Sequence, residues 1–248
     1  AQGGRQIDRL EATGDILSYL PMAWVGDHLF SFAQALVVGF TINCPESGDT
    51  VMTDLREIGP TYYFAPPRVF ESLLTSVMIR MEDAGVIKRR MFHYFLGVAK
   101  RCGSAILDGK PVGPGDRLLY GLGTLLVYGP LRNVLGLSRI RVAYTAGAAI
   151  GPELFSFYRS IGINLKQLYG QTETCAYVCL QPDGQVKPSS VGAPAPGVEI
   201  KIADNGEVLV KGPMLLKGYY QRPDATAESI DADGYFMTGD AGFIDADG

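Results

Sequence analysis

The stretch with the densest chemistry reads Leu-Tyr-Gly-Gln-Thr-Glu-Thr and runs from Leu168 to Thr174. Gly170 lets the backbone turn sharply or approach a ligand closely. The hydroxyl of Thr172 can bond a phosphate oxygen, the carboxylate of Glu173 can hold Mg²⁺, and Tyr169 offers a flat face to a base. Taken alone, the stretch is compatible with a site for a phosphate ester and its metal, or with an ordinary strand end followed by a polar turn.

Short apolar runs in the first two thirds of the chain must position this stretch. They predict strands near residues 16–20, 61–65, 140–146 and 164–168. Helical segments lie between them, and this alternation predicts an α/β fold with a mainly parallel sheet flanked by helices. In such a fold, ligands bind in loops that follow buried strands.

Apolar periodicity predicts several helices. A buried helix is expected at about 29–38, and amphipathic helices at 68–82 and 87–106. The apolar stretch 118–137 is predicted to be two pieces, broken at Gly129-Pro130. The predicted helix at 87–106 has a basic side, interpreted as a solvated face, with a phosphate or membrane-surface role as the alternative; it comprises Lys88, Arg89, Arg90, Lys100 and Arg101.

The composition and hydrophobic pattern of the sequence change near Lys187. A Pro/Gly-rich linker covers 191–197, and two alternating runs at 198–202 and 207–211 flank the turn signal Asn205-Gly206. They predict a β-hairpin in a smaller antiparallel β subdomain. The expected division is an α/β core at 1–190 and a β-rich unit at 191–248.

Composition excludes several classes of protein. The 248 residues are 47% hydrophobic and 19% charged, as in an ordinary globular protein, and the net charge of −4 gives no electrostatic case for nucleic acid. Four scattered cysteines without nearby histidines indicate reduced cytosolic thiols and no zinc site. No signal peptide is visible, and the longest apolar tract, 29–44, is too short and too polar to span a bilayer.

Two other catalytic patterns are incomplete. Asp27-His28 could form a hydrolase charge pair, but no Gly-x-Ser-x-Gly elbow accompanies it. Gly121 and Gly123 lack the third glycine of a dinucleotide-binding motif and lie in an apolar, helix-like run. Neither pattern competes with the stretch at 168–174.

Three segments in order resemble the signatures of the adenylate-forming superfamily, which includes acyl-CoA synthetases, luciferases and peptide-synthetase adenylation domains. They are Tyr144 to Ile150, Tyr169 to Glu173, and Tyr235 to Asp240. Small residues after the strand at 140–146 would let a flat ring lie on the backbone. Three ordered matches are far more specific than any one of them.

The resemblance implies a role for each matching residue. Thr172 would bond the α-phosphate, Glu173 would hold Mg²⁺, and both would be catalytic. The carboxylate of Asp240 would accept charge-assisted hydrogen bonds from the ribose hydroxyls. The residues implied in binding ATP or AMP are Gly147, Ala148, Ala149, Tyr169, Gly170, Gln171, Thr172 and Asp240.

The resemblance extends to the acid substrate. The segment 20–24 is similar to a family segment whose last residue lies beside the carboxylate substrate; Trp24 departs from the commoner histidine there. Trp24 and Gly147 would border the acyl site. Tyr63 to Glu71 looks like the opening of the longer connection of long-chain acyl-CoA synthetases, which implies fatty acid, ATP and CoA as substrates. The alternatives are an aryl-acid or amino-acid adenylating enzyme, and a non-catalytic nucleotide-binding or interaction module.

Parts of the family pattern are absent from these residues. The Thr/Ser/Gly-rich phosphate loop ending in Pro-Lys-Gly and the lysine of the small C-terminal domain are not found. We therefore expect the chain to be the middle of a longer enzyme and to have little activity alone, since losing one catalytic donor typically costs about 10²–10³ in rate. The expected location is the cytoplasm, with peripheral contact to a membrane surface as an alternative.

Overall fold

The computed structural model describes residues 2–246; Ala1, Asp247 and Gly248, which belong to the two predicted units, lie outside the described residues. A seven-stranded sheet forms the centre, in the order β2-β1-β3-β4-β5-β6-β7. The strands from β2 to β5 run parallel, and β6 and β7 are antiparallel additions at one edge. The strands are β1 Asp15–Leu17, β2 Thr41–Asn43, β3 Tyr62–Phe64, β4 Val142–Thr145, β5 Leu165–Tyr169, β6 Cys179–Leu180 and β7 Ala193–Pro194.

The four predicted strands are all present and confirm the mainly parallel sheet. The register pairs Ile16 with Tyr62, Tyr62 with Val142, and Ala143 with Leu165. Three further strands were not predicted, because β2, β6 and β7 have only two or three residues each and show no alternation. One of them, β7, lies inside the stretch interpreted as a Pro/Gly linker.

Helices connect the strands and cover both faces of the sheet. They are α1 Gln2–Asp8, α2 Val25–Asp27, α3 Gln34–Val38, α4 Val51–Ile58, α5 Pro67–Glu82, α6 Val86–Leu107, α7 Pro114–Gly123, α8 Gly129–Val134, α9 Pro152–Ser160 and α10 Pro223–Ser229. A π-helical segment, His28–Ala33, joins α2 to α3, so the predicted helix at 29–38 is present with one wide turn. The helix α4 was not predicted.

The predicted break at Gly129-Pro130 is wrong. The chain stays helical from α7 to α8 because a π-helical segment, Thr124–Tyr128, precedes the proline. The N–H of Gly129 donates to the carbonyl of Thr124, five residues back. A Cβ on Gly129 would lie 2.7 Å from that carbonyl oxygen, so the wide turn needs glycine there. The wide turn lets the helix pass Pro130, whose nitrogen has no hydrogen to donate.

Aromatic residues pack against each other in the core on each face of the sheet. On one face, Phe70 packs edge-on against Tyr63 and Tyr158, with ring centroids 6.1 and 5.0 Å apart. On the other face, Phe30 stacks on Phe64 at 4.5 Å and lies beside Tyr144. Both clusters are built on the strands that end at the predicted site, so they fix the position of those strand ends.

A second, three-stranded antiparallel sheet follows, in the order β10-β9-β8. Its strands are β8 Glu199–Ile202, β9 Glu207–Lys211 and β10 Phe236–Ala241. The predicted hairpin is confirmed, with Asn205-Gly206 in its turn. Val208 and Val210 of this sheet pack with Val178 and Cys179 of the first unit. The division at residue 190 stays a prediction, since β7 continues the first sheet beyond it.

None of the helices in residues 2–246 is long and apolar enough to cross a membrane. The basic residues of α6 lie on its outer side: Lys88, Arg90, Lys100 and Arg101 are exposed and Arg89 is half-buried. Arg101 pairs with Asp116, and Arg89 pairs with Glu82. Their exposure agrees with a solvated face, and the alternative of a phosphate or membrane-surface role stays a prediction.

Candidate functional site

Adjacent parallel strands bring the first two motifs together. Thr145 near the end of β4 pairs with Gln167 near the end of β5. The loop after β4 exposes Gly147 to Ala149, and Tyr169 at the end of β5 is half-buried. The carboxyl ends of parallel strands form the edge at which α/β proteins bind ligands. Gly147 has φ +88°, a left-handed conformation that favours glycine, and open space lies where its side chain would be.

The loop after β5 is tightly folded. Thr172–Thr174 form a short 3₁₀-helix whose N-cap is Gln171, and the Gln171 N–H donates to the Thr174 hydroxyl at 2.9 Å. A Cβ on Gly170 would lie 2.1 Å from the carbonyl oxygen of Ala176, so the chain crosses itself too closely there for any side chain. Gly170 is therefore needed for the close packing of this loop.

Asp240 is held by hydrogen bonds from the β5 loop, although it lies on β10 of the second sheet. Its Oδ2 accepts from the Tyr169 hydroxyl at 2.7 Å and from the Gln171 amide at 2.7 Å. The same amide nitrogen donates to the carbonyl of Thr238 at 2.9 Å. The other carboxylate oxygen, Oδ1, accepts no hydrogen bond from the residues described. That oxygen is available to a ligand.

The electrostatics of Tyr169 suit a permanent donor. Partial burial of the ring raises the pKa of this phenol above its ordinary value, and the neighbouring carboxylate of Asp240 raises it further. The hydroxyl of Tyr169 therefore keeps its proton throughout the neutral range. Its hydrogen bond to Asp240 orients the ring as well as the carboxylate.

Glu173 has a partner that the sequence did not indicate. The Tyr219 hydroxyl donates to Glu173 Oε1 at 3.2 Å, and the N–H of Leu216 donates to the Glu173 carbonyl at 2.8 Å. Partial burial, and next the charge of Glu173, raise the pKa of Tyr219. The two residues are 46 positions apart, and no periodicity connects them. The only sequence signal in this loop is Gly218-Tyr219, a glycine followed by an aromatic residue.

Two predicted residues lie apart from these hydrogen bonds. Thr172 is exposed, and its hydroxyl makes no hydrogen bond within residues 2–246. Trp24 follows β1, which β3 separates from β4, and its side chain is 51% exposed. Within the described part of the chain, no hydrogen bond joins Trp24 to the other predicted residues. Its role beside an acid substrate stays a prediction.

Asp27 does not form the hydrolase pair considered as an alternative. It is buried, and its Oδ1 accepts from Ser18 at 2.8 Å and from Ser31 at 3.3 Å. His28 is exposed and starts the first π-helical segment. Asp27 therefore fastens the loop after β1 to the helix that follows it.

The chemistry of the donor set fits a nucleotide and a magnesium ion. Asp240 Oδ1 can accept from ribose hydroxyls, and the exposed backbone at 147–149 can receive a flat base. Residues 2–246 contain no cluster of three or more metal-ligating side chains. A site with Glu173 alone still suits Mg²⁺, which usually takes one or two carboxylates together with substrate phosphates and water.

A family model described as "AMP-binding enzyme" matches residues 2–220. The long-chain fatty-acid–CoA ligase FadD15 of Mycobacterium bovis is 34% identical over 236 residues, which cover 94% of this chain and 38% of the relative. The Drosophila melanogaster long-chain fatty-acid–CoA ligase heimdall is 30% identical over 241 residues, covering 94% and 35%. The chain spans 33% to 41% of the length of the curated relatives it matches.

Solved structures show the same fold. The O-succinylbenzoate coenzyme A synthetase of Bacillus subtilis, solved in complex with AMP, superposes with a TM-score of 0.64. The two chains are 20% identical, and the match covers 100% of this chain and 42% of the synthetase. At this identity the likeness establishes the fold and leaves the acid substrate open.

Proposed function

Because this chain belongs to the AMP-binding enzyme family, we propose that it is the nucleotide-binding part of an AMP-forming long-chain fatty acid–CoA ligase. In the first step, a fatty carboxylate oxygen attacks the α-phosphorus of ATP, and pyrophosphate leaves. In the second step, the thiol of coenzyme A loses its proton and attacks the acyl carbon, and AMP leaves. The similarity to curated fatty-acid–CoA ligases supports this reaction.

The observation that carries the proposal is the hydrogen bonding of the Asp240 carboxylate. One carboxylate oxygen is fixed by Tyr169 and Gln171, and the other is available to the ribose. Hydrogen bonds to a charged acceptor contribute about 1.5–3 kcal/mol each. Tyr169 and the backbone at 147–149 would hold the adenine between them. This orientation would bring the α-phosphate beside the loop at 170–174, as the first step requires.

The reacting phosphate would meet Thr172 and Glu173. The hydroxyl of Thr172, exposed and without a partner in the described chain, would donate to an α-phosphate oxygen. Glu173, oriented by Tyr219, would hold Mg²⁺. When bound, that ion supplies positive charge against the charge that develops on the phosphates.

The long-chain acid is the finer part of the proposal. It rests on the similarity to long-chain fatty-acid–CoA ligases and on the long helical region from α5 to α8. Trp24 and Gly147 would border the carboxylate end of the acid. An aryl-acid or amino-acid adenylating enzyme remains the alternative within the family. Assaying the complete protein with acids of graded chain length separates these cases: a preference for aryl acids would reject the long-chain assignment.

A non-catalytic nucleotide-binding or interaction module is the alternative from another class, because these residues lack the phosphate loop motif. AMP release that depends on acid, ATP and CoA in the complete protein would reject it. The ligase proposal includes a cytoplasmic location and a role in lipid metabolism. It also includes the expectation that the isolated chain has little activity. The net charge of −4 gives no electrostatic support for a nucleic-acid partner.

The nucleotide site can be tested with AMP and 2′,3′-dideoxy-AMP. In the complete protein we expect the dideoxy analogue to bind about tenfold or more weakly than AMP, since the charge-assisted bonds to Asp240 are lost. Asp240→Asn should weaken AMP binding and show little further loss with the analogue. Equal discrimination by both proteins would place the ribose elsewhere.

The isolated chain gives a second test. Its adenosine contacts predict weak binding, around millimolar, which is about −4 kcal/mol. AMP and ATP should bind nearly equally, because the phosphate loop motif is not within these residues. Much tighter binding of ATP would reveal a further triphosphate site. In the complete protein, Glu173→Gln should impair Mg²⁺-dependent adenylation and spare adenosine binding; unchanged adenylation would refute the metal assignment.

A further inference from the structure

Strand β10 is irregular at the residue that is proposed to bind the ribose. Met237 pairs with Leu209 of β9. The next paired residues are Ala241 and Glu207, so three residues of β10 oppose a single residue of β9. Bulges of this kind re-aim a side chain, and they are frequent beside active sites. Asp240 is one of the three residues, so the shape of the bulge determines where its carboxylate lies.

Side chains hold two backbone N–H groups of this bulge. The N–H of Gly239 donates to Oε1 of Glu207 at 2.9 Å. The N–H of Asp240 donates to the hydroxyl of Thr238 at 3.1 Å, and that hydroxyl donates to the carbonyl of Val208 at 2.7 Å. Gly239 has φ +72°, and a glycine without support can leave such a conformation easily. The bulge therefore keeps its shape through these side-chain hydrogen bonds.

The hairpin turn between β8 and β9 places Glu207. The N–H of Glu207 donates to Oδ1 of Asn205 at 3.0 Å, which ties the start of β9 to the turn. The N–H of Gly242, just after β10, donates to the carbonyl of Gly206 at 3.0 Å. Glu207 is half-buried, which limits the competition of water for its carboxylate. The turn thus supports the bulge of β10 from the side opposite the large sheet.

We propose that Glu207 is a positioning residue for the nucleotide, because its carboxylate fixes the bulge of β10 and thereby the direction of Asp240. Tyr169 and Gln171 hold the carboxylate of Asp240 from the large sheet, and Glu207 holds the neighbouring backbone within the small sheet. A binding group works only when its supporting residues fix it closely. Glu207 acts through the backbone of Gly239 and is assigned no contact with the nucleotide. This inference rests on the proposed ribose role of Asp240.

The proposed contacts to the base and to the ribose come from different sheets. The base would lie between Tyr169 and the backbone at 147–149, which follow strands of the large sheet. The ribose would meet Asp240, which belongs to the small sheet. Loosening the bulge should therefore weaken the ribose contacts and leave the base contacts unaltered. A nucleotide without ribose hydroxyls separates these two effects.

The test measures the Kd of AMP and of 2′,3′-dideoxy-AMP by calorimetry in the complete protein. In Glu207→Ala we expect the Kd of AMP to rise about fivefold and the Kd of the analogue to stay the same. Glu207→Gln retains an oxygen that can accept from the N–H of Gly239, and it should restore most of the affinity for AMP. A purely structural role would lower the free energy of unfolding and change both Kd values alike.

Glu199→Ala is the matched control. Glu199 is on β8 of the same sheet and accepts from the hydroxyl of Tyr235 at 3.2 Å, outside the bulge. This variant should keep both Kd values. Equal binding of AMP and the analogue by the unaltered protein would refute the ribose role of Asp240, and this inference with it. A preference for AMP that Glu207→Ala retains, or a Glu207→Gln variant as weak as Glu207→Ala, would overturn the role of Glu207 alone.

Discussion

The side-chain amide of Gln171 joins two sheets through a single nitrogen. Its Nε2 donates to Asp240 Oδ2 at 2.7 Å and to the Thr238 carbonyl at 2.9 Å, which uses both of its hydrogens. Gln171 follows β5 of the large sheet, whereas Thr238 and Asp240 belong to β10 of the small one. The position of the proposed ribose carboxylate therefore depends on a residue of the other sheet.

Gln171→Leu should weaken nucleotide binding, because it removes both hydrogen bonds at similar volume. We expect the Kd for AMP in the complete protein to rise about tenfold, the worth of one hydrogen bond to a charged group. Calorimetry measures this change. Gln185→Leu, at an exposed glutamine away from the site, is the control and should leave the Kd unaltered. An unchanged Kd in Gln171→Leu would show that Asp240 is held without the amide.

Tyr219→Phe should change the response to magnesium and spare the nucleotide. The variant loses the hydroxyl that orients Glu173 at 3.2 Å. Losing such an outer partner typically costs about tenfold or more in metal affinity. We expect the Mg²⁺ concentration for half-maximal pyrophosphate release to rise about tenfold, while AMP binding without metal stays the same. Tyr220→Phe, at a ring that is 89% exposed, should do neither. An unaltered magnesium response in Tyr219→Phe would refute the positioning role.

Gly170→Ala should destabilise the fold, because its Cβ would lie 2.1 Å from the carbonyl oxygen of Ala176. Forcing extra atoms into a packed position typically costs about 1–3 kcal/mol of unfolding free energy. Gly121→Ala is the comparison: this glycine is in α7, no neighbouring atom lies within 4 Å of the place its Cβ would take, and alanine should stabilise the helix by up to about 1 kcal/mol. Urea unfolding of both variants measures the two effects, and changes of the same sign would contradict the close approach at Gly170.

Asp8→Asn should alter how stability depends on pH. Asp8 accepts from Tyr144 at 2.9 Å and from Lys166 at 3.3 Å, and the side chains of Asp8 and Lys166 are fully buried. Burial raises the pKa of Asp8 above 3.8, although Lys166 opposes the change. A raised folded-state pKa adds stability at low pH that is lost as the pH rises through it. The stability of the unaltered protein relative to Asp8→Asn should therefore fall as the pH rises from about 4.

Asp183→Asn should change the pH dependence of stability in the opposite direction from Asp8→Asn. Partial burial raises the pKa of Asp183, but hydrogen bonds from Lys166 and Asn164 outweigh it and lower the pKa below 3.8. A lowered pKa adds stability above the unfolded value that is lost as the pH falls. The stability of the unaltered protein relative to Asp183→Asn should therefore grow with rising pH. Urea titrations at several pH values give both differences, and parallel slopes would contradict the assignment.

The sequence predicted the elements with a clear period or a strong turn signal. The parallel strands, the amphipathic helices α5 and α6, and the hairpin at Asn205-Gly206 were predicted because their patterns are local. The wide turn at Thr124–Tyr128 was missed, because apolar residues continue through it and proline usually ends a helix. The short strands β2, β6 and β7 gave no pattern to detect.

Contacts between distant residues could not be predicted. The chemistry of Asp240 and Tyr169 was inferred residue by residue, but their 2.7 Å contact spans 71 positions. Tyr219 was not assigned to the site for the same reason. Lys166, in an apolar strand, gave no hint that its partner Asp8 lies 158 positions away. Contacts of this kind leave no local pattern in the sequence.

Within residues 2–246, the large sheet is bordered by two very short strands. Strand β2 forms one border with only Thr41–Asn43, and β7 forms the other with Ala193–Pro194. Three residues give a foreign strand little to pair with, and Pro194 has no N–H to offer it. In the part of the chain that the structure describes, these borders should therefore resist edge-to-edge pairing, and destabilised forms should aggregate through released interior strands such as β4.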